Sequence, residues 1–116
     1  MAPSPKTKNK ENAVDYVQEI KDWGVTLADA VKIEMTLENR RHTVKLAAID
    51  RIMKSGDNPL TGKAHSYSSA EALVTTDKQY AEYLDDIANA VRAKIIAKAQ
   101  YDAALVAARL ADEVTT

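Results

Sequence analysis

An all-α fold, a long helical hairpin with a short N-terminal helix, is predicted by three observations. Three Gly and three Pro in 116 residues are too few to turn a β-rich chain back on itself. Apolar residues recur every three or four positions through two long stretches, which is the period of a helix face. Between those stretches lies one polar break, Ser55-Gly56-Asp57-Asn58-Pro59 running on to Ser69, with the residue types of a connector.

Residues 1–10 (MAPSPKTKNK) hold two prolines and three lysines without an apolar anchor and read as a flexible basic tail. Residues 11–116 form a single helical domain. A first helix is expected over about 12–23, with Ala13, Tyr16, Val17, Ile20 and Trp23 on one face. Gly24 is expected to end it, and Thr26 with Asp29 has the spacing of a capping box that restarts the chain. Trp23 then anchors the bend between the two segments.

The second helix is expected over about 27–54, roughly 40 Å at the standard rise. Ala30, Ile33, Leu37, Val44 and Ala48 form one stripe, and Val31, Met35, Leu46, Ile49 and Met53 a neighbouring one. The combined face is wider than a coiled-coil seam. Gly56 suits a left-handed cap just past Lys54, and Pro59 stops the helix from resuming. The connector spans 55–68.

A third helix is expected over about 69–112. Ser68 caps it and Glu71 closes the box. The β-branched cluster Val74-Thr75-Thr76 weakens it early, and Thr76 with Gln79 can recap a longer helix behind. Leu84, Ala88, Val91, Ile95, Ala99, Ala103, Val106 and Leu110 then recur at an average of about 3.7 residues, nearer an 11-residue repeat than a heptad. Tyr80, Tyr83, Ile87 and Ile96 widen the stripe, and Ala97, Ala103, Ala104, Ala107, Ala108 and Ala111 allow backbones to approach closely.

Alanine adds little buried area, so one copy of such a chain leaves apolar helix surface uncovered. The expectation is a homodimer that completes a four-helix bundle, with Leu84, Val91, Ile95, Val106 and Leu110 as the self-association residues.

A formal net charge of -1 argues against a protein that coats duplex DNA. With no cysteine the chain has no disulfide, thiolate nucleophile or Cys-ligated zinc. No apolar run approaches the roughly 20 residues of a membrane span, so a soluble, cytoplasmic protein is expected.

Four chemistries have candidate residues. Glu34, Glu38 and His42, spaced four and four, share a helical face, and a carboxylate metal bundle would need Glu82, Asp85 or Asp86 to face them, but i,i+4 pairing with Arg41 and Lys45 explains the same residues. Gly56 through Lys63 resembles a phosphate loop superficially, yet five residues separate the glycines where the motif has four, and Ala64 stands where Ser or Thr binds magnesium. His42 and His65 are the only imidazoles, and neither sits in a triad pattern. The connector is the most function-like segment: Lys54, Lys63 and His65 bring positive charge, Tyr67 a ring for stacking on a base, and Ser68 a hydroxyl at a helix start. Its structural alternative is a capped loop with Leu60 and Tyr67 tucked against the bundle end.

These observations point to a non-enzymatic, self-associating helical adaptor or accessory protein that needs no cofactor and binds a protein partner. The alternative is a nucleic-acid-binding accessory protein, as found in phages and other mobile elements, using the tail and the 54–69 connector. The carboxylate metal bundle stands third.

Overall fold

A computed structural model describes residues 15–115. The basic tail and the expected start of the first helix lie outside the described residues. In order, the elements are α1 (Tyr16–Asn39), α2 (Arg41–Lys54), α3 (Tyr67–Ala72), a single 3-10 turn (Val74–Thr76) and α4 (Lys78–Thr115). The chain is all-α with a long C-terminal helix, and among the described residues β pairing is limited to one antiparallel bridge, Asp57 with Ala64. No described helix is long and apolar enough to cross a membrane. Contacts divide the chain into two compact units, one of residues 31–92 and one that joins residues up to Ala30 with those from Ala93 onward.

The second of these units pairs the start of α1 with the end of α4. Tyr16 lines a shallow depression with Ala107, Ala111 and Val114, and Gly24 faces the ring of Tyr101. Position numbers rise on one helix as they fall on the other, so the pair is antiparallel. Its buried residues are Ala30, Ala97 and Ala104, and side chains this small let two helices approach closely.

Contrary to the expected bend, α1 runs unbroken through Gly24. A Cβ there would stand 3.4 Å from Cε1 of Tyr101, an ordinary contact, so the glycine packs beside a neighbouring ring and does not end the helix. Thr26 is no cap either, because its hydroxyl donates to the Asp22 carbonyl at 3.0 Å inside the same helix. Trp23 is half-buried along α1 and anchors no bend.

The break falls instead at Arg40, where the sequence reading continues a helix to Lys54. Arg40 has φ −92° and ψ −4°, and its N–H donates to the Leu37 carbonyl three residues back at 3.0 Å. The same carbonyl accepts the hydroxyl of Tyr83 from α4. No glycine or proline marks the spot. A tertiary hydrogen bond from a residue 46 positions away holds the carbonyl, and the helix restarts with Val44 N–H on Arg40 O.

This unit, residues 31–92, holds the larger core. Ala48 and Ile49 of α2, Ala70 of α3, Val74, and Tyr80, Tyr83 and Ile87 of α4 form one buried cluster. Leu37, Val44, Ile52, Leu84 and Val91 pack around it. The rings of Tyr80 and Tyr83 lie 6.2 Å apart at 31°, within the range of favourable aromatic pairs. Ion pairs tie the helices together at the surface: Lys45 of α2 meets Glu71 of α3 at 3.2 Å, and Arg51 of α2 grips Asp77 with two bonds of 2.9 and 2.6 Å.

Two helix starts differ from the sequence expectation. Ser66, not Ser68, caps α3, its hydroxyl accepting the Ser69 N–H at 3.1 Å. The front helix does end and a long one does follow, but Asp77, not Thr76, caps α4 by accepting the Tyr80 N–H at 2.9 Å. Thr76 turns its hydroxyl back to the Leu73 carbonyl at 2.6 Å.

Two predictions follow from these packing details. Gly24→Ala should stabilise the protein by about 0.5–1 kcal/mol, because alanine is the better helix former and the added methyl makes ordinary contact with Tyr101. A lowered melting temperature would mean that the helices meet more tightly, or that α1 bends there after all. Asp77→Ala should cost about 1–2 kcal/mol near neutral pH through the lost cap and its charged partner. The Arg51 guanidinium, helped by the Tyr80 N–H and against burial, holds the Asp77 carboxyl below its ordinary value. That contribution is complete above the unfolded carboxylate value of about 4 and is lost as pH falls through the lower folded value. Urea unfolding of wild type and variant at about pH 7 and about pH 2 should show the gap shrinking in acid; a constant gap would remove the ion pair from the account.

Candidate functional site

The connector satisfies most of its polar groups internally. Asn58 N–H donates to the Lys63 carbonyl at 2.7 Å, and Gly62 N–H returns to the Asn58 carbonyl at 2.8 Å. The Asn58 side chain accepts Leu60 N–H at 2.9 Å, a local Asx turn. Gly56 and Gly62 take φ values of +129° and +67°, which side chains with a Cβ rarely adopt. The result is a small self-bonded loop standing between α2 and α3.

The proposed anion-binding residues are dispersed by this geometry. Lys54 pairs with Asp50 at 2.8 Å on its own helix. His65 is buried, its Nδ1 3.0 Å from the Ser69 hydroxyl, while Ser69 donates that hydroxyl to the Ser66 carbonyl at 3.2 Å. That arrangement has His65 Nδ1–H donating to Ser69, so the imidazole seals the start of α3. Lys63, Tyr67 and Ser68 remain exposed. Leu60 does not tuck against the helices; it is 91% exposed at the loop tip. The sequence reading treats His65 as a cation or a candidate imidazole base, whereas its place one residue before a capping serine is the signal for the structural role.

The carboxylate and imidazole set is also separated. Arg41 holds both oxygens of Glu38 at 2.9 Å, keeping the Glu38 carboxyl below its ordinary value by hydrogen bonding and charge, against a small desolvation cost. Because the helix breaks at Arg40, His42 belongs to α2 and not to the turn after Glu38. Among the described residues no three acidic, imidazole or thiol groups gather as a metal site.

A groove of about 560 Å³ opens within the 31–92 unit. Leu37, Val44 and Ala47 provide apolar lining, with Arg40 and Arg51 on one side and Glu82 and Asp86 on α4. Opposite charges in one groove do not build the single-sign field that concentrates a charged ligand, and the lining has no imidazole or thiol. Its chief consequence is local. Tyr83, which lines it, is nearly buried, and burial pushes its phenol up, so the hydroxyl stays protonated as the donor to Leu37.

Part of the expected self-association face on α4 is exposed. Of the five expected self-association residues, Leu84 and Val91 pack beside the core of their own chain. Ile95, Val106 and Leu110 are 60%, 49% and 55% exposed. With the exposed Ala99 and Ala103 they form an uninterrupted apolar row. Scattered exposed apolar residues are ordinary; here several fall on one side of a single helix.

Tyr83→Phe should cost about 1 kcal/mol by removing one hydrogen bond from a buried carbonyl. Because the phenol is pushed up, its contribution is complete below the ordinary tyrosine value of about 10 and is lost as pH rises through the higher folded value. Equilibrium unfolding followed into alkali should therefore bring wild type and variant together; parallel curves would contradict the bond. No known protein family, curated protein or solved structure matches this chain.

Proposed function

We propose that this protein is a non-enzymatic helical accessory protein that associates with itself through α4 and acts by binding another macromolecule. The observation that carries the reading is the exposed row of Ile95, Ala99, Ala103, Val106 and Leu110. Pairing two such helices would bring a second α1–α4 pair alongside the first and complete a four-helix bundle. The connector supports a partner-binding end by its form: a self-bonded loop that carries Leu60 at its tip and leaves Lys63 and Tyr67 accessible. Cytoplasmic residence and a protein partner belong to the same reading.

Sedimentation of the purified chain should give the mass of a dimer. Val106→Glu should raise the dissociation constant by roughly a hundred-fold, since a carboxylate would be buried without a partner, and should leave the helical circular dichroism unchanged because Val106 is exposed in the single chain. A monomer at high concentration would sink the proposal. Titrating labelled single-stranded DNA at two salt concentrations tests the rival function at the same time. Binding that falls steeply with salt and is weakened by Lys63→Glu would favour a nucleic-acid accessory protein.

A further inference from the structure

The junction between α1 and α2 is a helix break without a local cause. From Val31 to Lys54 the chain has neither glycine nor proline, and no side chain caps the start of α2 at Arg40. The first turn of α2 has no acidic residue and the last turn of α1 no basic one, so neither end has the charges that favour a terminus. Arg41 grips Glu38 across the junction, yet partners three apart also meet on an unbroken helix. That ion pair does not impose the break.

One acceptor does. The Leu37 carbonyl takes the Arg40 N–H three residues on and, from α4, the Tyr83 hydroxyl. In an unbroken helix the same carbonyl would take the Arg41 N–H, four residues on. A tightened turn within a long helical stretch, or a side chain inserted into its hydrogen-bond ladder, is how hinges are built. Two arrangements of the same residues compete for one oxygen.

The outcome bears on the neighbouring groove. Leu37 and Arg40 line it together with Thr43, Val44 and Ala47 of α2 and Tyr83 itself. Residues from both sides of the break thus share the groove with the side chain that holds it.

We propose that this junction is a two-state hinge latched by Tyr83. On release, the Leu37 carbonyl takes the Arg41 N–H, α1 and α2 join into one helix, and the groove changes shape. A groove occupant that fits only one of the two shapes sets the hinge by that difference in affinity. The hinge lies within the 31–92 unit and does not depend on the self-association proposed above.

Amide exchange and 13C chemical shifts of the full chain test it. Tyr83→Phe keeps the ring and removes the latch. The Arg41 amide, gaining an acceptor, should exchange about ten-fold more slowly, and the Arg40 13Cα shift should move toward the value of an ideal helix. An Arg41 amide no slower than in the unmodified chain, or an unmoved Arg40 shift, overturns the hinge. A second variant carries the test if Tyr83→Phe fails to fold. Asn39→Ala with Thr43→Ala replaces two exposed residues beside the junction by the best helix former, with Tyr83 intact. It should move both signals in the same direction, exchange slowing about five-fold; no movement overturns the proposal as well.

Discussion

Tyr83 donates its hydroxyl to the Leu37 carbonyl from a nearly buried position, and that bond fixes which face of α4 turns toward α1 and α2 within the 31–92 unit. An α-helix turns about 100° per residue, so the azimuth of one residue sets that of every other on the same helix. Ile87 and Ala90 fall near the Tyr83 side of α4 and are buried with it. An apolar contact alone would allow α4 to roll and exchange one greasy face for the other. A directional bond to a main-chain carbonyl does not.

Several polar pins hold the 31–92 unit. Asp77 caps α4 and binds Arg51, His65 bonds Ser69 at the start of α3, and Tyr83 bonds Leu37. Each joins residues that apolar packing would bring together only loosely. In the other unit, Ala30, Ala97 and Ala104 with Gly24 make the contact, and small residues bring close approach but little buried area. Ile95, Val106 and Leu110 of that part of α4 stay largely exposed, while the ring of Tyr101 packs by Gly24.

Much of the architecture was legible in the sequence because it depends on local signals. The shortage of turn residues, the 3–4 apolar period and the weak Val74-Thr75-Thr76 segment point to an all-α chain with a short helix ahead of a long one, and the structure has both. The misplaced features depend on contacts distant in sequence. Gly24 resembles a stop until Tyr101 is seen against it. Arg40 carries no stop signal, and the break there comes from a tyrosine on another helix. Ser66 and Ser68 both precede an acceptable N3 residue, and His65 packing under Ser69 accompanies the earlier choice. On α4 the stripe and the small residues were both legible: Tyr80, Tyr83 and Ile87, and Ala97 and Ala104, are buried, and Leu84 and Val91 pack beside the core of their own chain.

The self-association proposed for α4 would draw on a modest force. Burying an aliphatic side chain fully is worth about 1.5–3 kcal/mol, and three such chains, half exposed in each copy, would supply a driving force comparable with the entropy lost when two molecules associate. A face of that size would favour pairing without guaranteeing a tight dimer.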